Sequence, residues 1–319
     1  RYEVHIKLDC PAVEALLTRR FGSPVRIAEA HQLTPWYVAR CRLESSSSQV
    51  PASVAVKILR QDPDGFRTDP RQVVTEQVAL EFLQQVAPGR APRLWVGDPG
   101  AGLLVMEDLA PRVPLAAVLG NRWGDDAVTG LRRLAASLGE LAARTAGQFS
   151  DYQARLRAAG PSEPLPVRQW LRPDVRDQAR ISAAQLDTPP TAAVEGELAT
   201  VVDELQEPGP FRAFSSGDGG PNNFMVQADD LAGGDTRLID FEAAGYRHAV
   251  EDAVFLYVPG PHWLTASDPL ADGTEAAYRT ALAESVPEAS DDRRFDQAIA
   301  AACLAFAILR LHRFPKINT

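Results

Sequence analysis

The chain has 319 residues, with 42 acidic against 33 basic side chains, 45% hydrophobic residues and three cysteines. This length predicts two domains, or one large domain with two lobes, and the ordinary composition excludes collagen-like, disordered and coiled-coil proteins. The formal net charge of −9 argues against a nucleic-acid partner, which would need a basic surface, and mildly favours a neutral or cationic partner.

The first hundred residues combine short strand-like segments with two helical ones. Alternating or β-branched apolar residues predict five strands, and amphipathic spacing predicts two helices. The polar run at residues 44–49 (ESSSSQ) predicts a hairpin loop, with a flexible linker as the alternative. The predicted order is helix, three strands, helix and two strands, at residues 11–20, 25–30, 37–43, 54–59, 70–86, 94–96 and 103–106. This order fits a five-stranded sheet with one helix in its middle.

The remainder of the chain is mainly helical. A long amphipathic helix is predicted at residues 125–149, a helical piece within the Pro-rich stretch 161–190, and further helices at residues 191–205, 274–285 and 294–314. Two short apolar runs, at residues 223–226 and 237–239, each lie beside a cluster of Asp, Asn and Gly.

The cysteines and the apolar runs indicate in which cellular compartment the protein is expected. Cys10, Cys41 and Cys303 are odd in number and form no CxxC pair, so the sequence predicts neither a zinc knuckle nor a disulfide framework. The N-terminal residues show no apolar signal core, and the apolar run at residues 298–309 is shorter than the roughly 20 residues that span a bilayer. We expect a cytoplasmic protein without a membrane partner.

A lysine interrupts the apolar strand Val54-Ala55-Val56-Lys57-Ile58-Leu59. A buried ammonium is costly unless it is paired, and Glu76 in the next helix is the natural partner, with Glu81 as the alternative. From this strand alone, a lysine at a sheet edge that reaches solvent is favoured.

Two acidic motifs follow in the second half. Asp218 lies five residues before Asn223 in a Gly- and Pro-rich loop, where glycines permit unusual backbone angles and the approach of a charged substrate. Asp240 ends a short apolar strand, in Leu238-Ile239-Asp240-Phe241-Glu242. Taken singly, a plain turn and an N-cap aspartate explain these motifs better than a function does.

The order of these parts changes the interpretation. A strand lysine, a helix glutamate, Asp-x4-Asn and then Asp-Phe-Glu is the order found in kinase-type phosphoryl transfer. The sequence resembles the aminoglycoside phosphotransferase and choline kinase superfamily, whose catalytic loop has the form H-G-D-x-x-P-x-N. The matching positions are Gly217, Asp218, Pro221 and Asn223, with Ser216 in place of the usual histidine. Asp252 falls where the family has a second aspartate supporting this loop, and residues 104–109 resemble the hinge between lobes.

The resemblance implies an α+β, protein-kinase-like fold with two lobes. Residues 1–106 would form a small N-lobe, with a five-stranded antiparallel sheet and a helix, and residues 107–319 a larger, mainly helical C-lobe. It also implies ATP and Mg²⁺ as cofactors. The implied roles are phosphate binding for Lys57, support of that lysine for Glu76, adenine binding at the hinge for Met106, Glu107 and Leu109, Mg²⁺ binding for Asn223 and Asp240, and general base for Asp218.

The implied activity is transfer of the γ-phosphate of ATP to a hydroxyl of a small molecule, such as an aminoglycoside-like antibiotic, an amino alcohol or a sugar. Ser216, the glycine-free loop at residues 31–36 (HQLTPW), and Ala142-Ala143 where many relatives have Leu-His depart from the family pattern. These departures leave an alternative function, that of a degraded kinase-like protein that binds nucleotide or a small ligand without turnover. A protein kinase is disfavoured, because the short distance from Asp240 to Asp252 leaves little room for a peptide-docking loop.

Other chemistries lack their motifs. The sequence contains no G-x-x-x-x-G-K-[ST], so a P-loop is excluded, and residues 217–220 do not fit G-x-G-x-x-G before a helix. The serines at 215 and 216 lack the glycines of a nucleophile elbow. For His248, and for Trp263 in an aromatic, Pro-rich loop, a structural role is favoured over contact with the acceptor.

Overall fold

The computed structural model describes residues 8–33, 37–59, 69–120, 124–160, 174–185, 187–258 and 268–311. Its N-terminal part is a five-stranded antiparallel sheet with the strand order β1-β2-β3-β5-β4. The strands are β1 (Arg26–Leu33), β2 (Val38–Glu44), β3 (Ser53–Ile58), β4 (Leu94–Asp98) and β5 (Leu103–Glu107), and the helices are α1 (Cys10–Phe21) and α2 (Arg71–Val86). The predicted sheet and helix order are confirmed. Strand β2 pairs antiparallel with β3, so the hairpin is confirmed over the flexible linker.

The two faces of this sheet belong to different cores. Val54 and Val56 of β3 are fully buried and pack with Leu17 of α1 in a small core. Leu104 and Met106 of β5 face the other side, where they join α2 in the main core that continues into the C-terminal part. Because side chains alternate along a strand, Lys57 lies on the α2 side of the sheet.

The C-terminal part is mainly helical, as predicted. The helices are α3 (Leu115–Leu119), α4 (Asp125–Thr145), α5 (Phe149–Ala159), α6 (Val175–Gln185), α7 (Ala192–Gln206), α8 (Val250–Ala253), α9 (Thr274–Ala283) and α10 (Asp292–Arg310). Several boundaries differ from the prediction by a few residues, and the single helix expected at 125–149 ends at Thr145. Gly147 has φ +79°, a left-handed angle that a helix cannot continue through, and α5 begins two residues later.

Short paired strands flank the segments that contain Asp218, Asn223 and Asp240. Strand β6 (Val113–Pro114), β8 (Phe224–Val226) and β9 (Arg237–Leu238) form a three-stranded sheet in the order β6-β8-β9, and β7 (Arg212–Ser215) pairs antiparallel with β10 (Gly245–His248). The two apolar runs predicted in this region are therefore paired strands. Phe224 lies opposite Leu238, which brings the segments around Asn223 and Asp240 side by side.

Together these elements give the two-lobed, protein-kinase-like α+β fold that the sequence predicts. The boundary between residues 106 and 107 stays a prediction, although β5 ends at Glu107. Within the described ranges, no helix combines the length and apolar character needed to cross a membrane.

Gly139 of α4 tests the packing between α4 and α9. A Cβ at residue 139 would lie 2.5 Å from the carbonyl oxygen of Tyr278 and 2.9 Å from the Cβ of Ala281. We expect Gly139→Ala to lower the free energy of unfolding by about 1–3 kcal/mol, because the two helix backbones must separate. Urea unfolding measures this loss.

The control is Gly196→Ala in α7, where an added Cβ meets nothing within 4 Å. There the substitution should raise stability by up to about 1 kcal/mol, since alanine is the better helix former. Equal effects at the two glycines would contradict the close helix contact.

Candidate active site

Lys57 lies in the interior of the sheet. Strand β3 is central, with Lys57 opposite Val38 of β2 on one side and Leu104 of β5 on the other. The lysine side chain is 17% exposed, and it lies on the face that α2 covers. The interpretation of Lys57 as a strand-edge residue that reaches solvent is therefore wrong.

Three carboxylates surround the ammonium of Lys57. Its Nζ lies 2.5 Å from Oε2 of Glu76, 2.5 Å from Oδ1 of Asp240 and 3.4 Å from Oε2 of Glu242. Oxygens of the three carboxylates all lie within 4.8 Å of one another. Glu81, the alternative partner, instead accepts a hydrogen bond from the side chain of Gln77 at 2.9 Å.

Glu76 links this ion cluster to the backbone. Its side chain is almost completely buried, with Oε2 on Lys57 and Oε1 accepting a hydrogen bond from the main-chain N–H of Phe241 at 3.2 Å. One helix residue therefore positions both the lysine and the segment that follows Asp240. This arrangement fits the supporting role that the sequence implies for Glu76.

The cluster has more negative than positive charge. Burial alone would lower the pKa of Lys57, but Asp240, Glu76 and Glu242 together raise it well above its ordinary value. Burial raises the pKa of Glu76 to about 7 against the attraction of Lys57, and the neighbouring Asp240 and Glu242 add to the rise. Three ionised carboxylates and one ammonium would leave two negative charges in excess in this largely buried site. An additional cation would relieve that excess.

The loop after β7 places Asp218 beside the ion cluster. Burial, followed by the charges of Asp240 and Asp252, raises the pKa of Asp218 to about 6. The main-chain N–H of Asp218 faces the hydroxyl of Ser216 at 3.4 Å, so the serine at the usual histidine position hydrogen-bonds locally. Asp252 accepts hydrogen bonds from Ser215 Oγ at 2.7 Å and from the Ser216 N–H at 3.1 Å, which fits its implied support of the loop.

Asn223 connects this loop to the segment of Asp240. Its side-chain Nδ2 donates to the main-chain carbonyl of Asp218 at 3.0 Å, and its main-chain carbonyl accepts from the N–H of Ile239 at 2.9 Å. Asp240 has φ +67°, a left-handed angle that is uncommon outside glycine and costs energy. The antiparallel β8–β9 pair and this unusual backbone angle together fix where the Asp240 carboxylate lies.

The predicted hinge follows β5 directly. Met106 packs in the main core, and Glu107 lies at the end of the strand. The main-chain N–H of Glu107 already donates to the carbonyl of Arg93 at 2.7 Å, and the carbonyl of Leu109 accepts from the N–H of Arg112 at 2.9 Å. An adenine edge at this hinge would therefore pair with main-chain groups other than the Glu107 N–H.

The same architecture occurs in solved structures of small-molecule phosphotransferases. A protein of Ralstonia eutropha JMP134, provisionally assigned as an aminoglycoside phosphotransferase, matches 94% of this chain over 98% of its own, with a TM-score of 0.54 and 14% identity. The GDP complex of wild-type aminoglycoside 2′-phosphotransferase-IIIa matches 98% of this chain over 94% of its own, with a TM-score of 0.52 and 12% identity. The GDP and kanamycin complex of APH(2″)-IIIa matches 96% of this chain over 93% of its own, with a TM-score of 0.51 and 12% identity. No family model and no curated protein matches the sequence.

The chain has the fold of the aminoglycoside phosphotransferases. The predicted resemblance to the aminoglycoside phosphotransferase and choline kinase superfamily is thus confirmed at the level of fold. Identities of 12–14% establish the fold alone, so the roles of individual residues in this phosphotransferase-like fold are argued from its own geometry.

Sequence reasoning missed two residues of the site. The sequence places Glu242 in the Asp-Phe-Glu motif and indicates no role for it, yet its buried carboxylate is the third around Lys57. No sequence pattern marks Arg247, although its guanidinium donates to Ser215 Oγ, at the start of the loop that carries Asp218. Asp240 and Glu242 are two residues apart, and this spacing could have indicated that Glu242 lies near Lys57. The left-handed backbone angle at Asp240, which the sequence does not predict, decides where the two side chains lie.

His248 makes no contact with Lys57, Asp218 or Asp240 in the described structure. His248 is completely buried and stacks on Phe211 with ring centroids 5.0 Å apart, which supports the structural role. Its Nε2 lies 3.6 Å from a carboxylate oxygen of Glu204. Trp263 and residues 34–36 of the glycine-free loop lie outside the described residues.

Lys57→Met tests the charge balance of the cluster. The substitution leaves two buried carboxylates and one partly buried carboxylate without their ammonium, and we expect a loss of about 3–5 kcal/mol in the free energy of unfolding at pH 7.5. The variant should recover stability at pH 5, because a carboxyl whose folded-state pKa is raised favours the folded state below its unfolded pKa and loses that contribution as pH rises. Urea unfolding at both pH values measures the difference.

The matched control is Lys57→Met/Glu242→Gln, which also removes one negative charge. It should be more stable at pH 7.5 than Lys57→Met alone, since less like-charge repulsion remains. A loss for Lys57→Met that is the same at pH 5 and pH 7.5 would show that charge does not cause it.

Proposed function

We propose that this protein is an ATP- and Mg²⁺-dependent phosphotransferase that transfers the γ-phosphoryl group to a hydroxyl of a small molecule. The observation that carries the proposal is the position of Asp218, a carboxylate with a raised pKa, beside a buried cluster of one lysine and three acids. Phosphoryl transfer needs charge neutralisation on one side and a proton acceptor on the other, and this site provides groups for both.

Nucleotide binding would use Lys57 and the hinge. The ammonium, held by Glu76 and Asp240, would exchange part of its carboxylate contact for phosphate oxygens of the nucleotide. Adenine would lie against Met106, Glu107 and Leu109. Three of the similar solved structures are GDP complexes, which supports a nucleotide at this site of the fold but leaves the choice of base to experiment.

The metal would be held by Asp240 and Asn223. Carboxylate and amide oxygens are the hard ligands that Mg²⁺ prefers, and the excess of negative charge around Lys57 favours a cation there. The Asn223 amide is already oriented, since its Nδ2 donates to the Asp218 carbonyl and its Oδ1 accepts from Asn222. When bound, the ion would neutralise charge on the phosphates.

Asp218 would orient the acceptor hydroxyl and accept its proton. A pKa of about 6 keeps most of the carboxylate ionised at neutral pH, and it makes the group a better proton acceptor than an ordinary aspartate. The acceptor is proposed only as a class: an aminoglycoside-like antibiotic, an amino alcohol or a sugar. Much of the segment expected to line its pocket, at residues 161–173 and 259–267, lies outside the described residues.

Asp218→Asn tests the assignment of the base. We expect kcat to fall by about 10²–10⁴-fold, because the amide cannot accept the hydroxyl proton, while the Kd for MgATP changes less than threefold. The measurement is ATP-dependent phosphorylation across a panel of kanamycin, choline, homoserine and simple sugars, with ATP and GTP each as donor. Nucleotide affinity is measured separately by calorimetry.

The control is Asp230→Asn, an exposed loop aspartate outside the site, which should change neither quantity. Full activity in Asp218→Asn would reject this residue as the base. A wild-type protein that binds MgATP but phosphorylates none of the panel, and does not hydrolyse ATP, would instead favour the degraded kinase-like alternative that Ser216 suggests.

The pH dependence gives a second test. Below pH 6 the carboxyl of Asp218 becomes protonated and cannot accept a proton, so kcat should fall about tenfold per pH unit on the acid side. The apparent pKa of this limb should lie near 6 rather than near the ordinary value of 3.8. Initial rates from pH 4.5 to 8 at saturating MgATP measure it. A profile flat down to pH 4.5 would argue against an aspartate with this environment as the base.

A further inference from the structure

A single buried hydroxyl joins the catalytic loop to two other elements. Ser215, 1% exposed, donates through Oγ to Asp252 at 2.7 Å. The same oxygen accepts from the main-chain N–H of Gly217 at 3.0 Å and from Nη1 of Arg247 at 3.2 Å. A serine hydroxyl has one donor and two acceptor positions, so this hydroxyl uses its full hydrogen-bonding capacity.

Arg247 reaches Ser215 because of the register of two strands. In the antiparallel β7–β10 pair, Arg247 lies opposite Ala213, and Ser215 is two residues further on the same face. The other terminal nitrogen of Arg247, Nη2, donates to the carbonyl of Ala243 at 2.8 Å. One guanidinium therefore bridges the beginning of the catalytic loop and the segment that follows Asp240.

The two segments are also in backbone contact at this bridge. Gly217 has φ +89°, and a Cβ there would lie 2.6 Å from the carbonyl oxygen of Ala243 and 2.9 Å from Nη1 of Arg247. A side chain at residue 217 would push the segments apart. Asp218 follows Gly217 directly and Asp240 precedes Ala243 by three residues, so the bridge lies next to both acids of the proposed site.

We propose that Arg247, acting through Ser215 and Ala243, is a positioning residue that holds the catalytic loop against the segment of Asp240. The guanidinium is suited to this task, because its planar fork makes two hydrogen bonds in fixed directions. Loss of the bridge leaves the Asp218 loop attached through Asp252 and Asn223, but it removes the direct connection between Ser215 and the segment that follows Asp240. This inference rests on the proposed function, since it concerns the geometry of the same site.

The kinetic test is a double-mutant cycle of Arg247→Met and Ser215→Ala. Each single variant should lower kcat for ATP turnover at least tenfold, with the KM for MgATP changed less than twofold, because Lys57 and the hinge are untouched. The double variant should lose no more than about twice what the worse single variant loses, since both remove the same connection. Arg247→Lys, which can keep one of the two hydrogen bonds, should retain an intermediate kcat.

Arg279→Met is the control, because Arg279 is also partly buried and ion-paired, with Glu275 and Asp292, but contacts neither loop in the described structure. It should leave kcat within twofold of the wild type. Multiplicative losses in the double variant, or a KM that rises with kcat unchanged, would overturn the proposal.

Hydrogen–deuterium exchange of the nucleotide-free protein tests the bridge without catalysis. Peptides covering residues 215–226 and 240–247 should exchange at least fivefold faster in Arg247→Met than in the wild type, and unchanged exchange would overturn the proposal. If Arg247→Met does not fold, Ser215→Ala, which removes only one oxygen, serves in its place. Should the wild type show no ATP turnover, the proposed function fails, while the exchange rates still decide whether Arg247 holds the two segments together.

Discussion

The arrangement of the whole site depends on the pairing of one buried ammonium with three carboxylates. Lys57 comes from the central strand of the sheet, Glu76 from α2, and Asp240 and Glu242 from the segment after β9. Burying these charges is unfavourable unless they meet, so the strand, the helix and the segment are held in one relative position. The pairing is unbalanced, because the acids outnumber the lysine, and this imbalance makes the cluster receptive to a further cation.

Hydrogen bonds to main-chain groups connect this cluster to the other residues of the proposed site. The carboxylate of Glu76 accepts a hydrogen bond from the N–H of Phe241. The main-chain carbonyl of Asn223 accepts from the N–H of Ile239, and its side-chain amide donates to the carbonyl of Asp218. These hydrogen bonds, together with the backbone between Ile239 and Phe241, connect α2 to the loop that carries Asp218. Phosphate binding, metal binding and proton transfer are proposed for different elements, and buried side chains that hydrogen-bond to backbone groups hold these elements at fixed separations.

The sequence predicts those features that depend on local pattern and order. The alternation around Lys57 predicts a strand, the spacing after residue 70 predicts the helix with Glu76, and the order of motifs predicts the fold. It does not predict the contacts of Glu242 or Arg247. The first depends on a left-handed backbone angle at Asp240, and the second on the register of strands about 30 residues apart in the chain. Gly147, which ends α4 four residues before the predicted end, is a smaller error of the same kind, since a helical pattern continues across it.

The two faces of the sheet belong to separate cores, and this division affects which part of the molecule unfolds locally. Helix α1 packs on the outer face, in a small core that is separate from the one shared by α2, β5 and the helices of the C-terminal part. Opening of α1 exposes Val54 and Val56 but leaves the opposite face, and therefore Lys57, in contact with its acids. We therefore expect α1 to unfold locally at a lower free energy than the rest of the molecule, while the side chains around Lys57 keep their contacts.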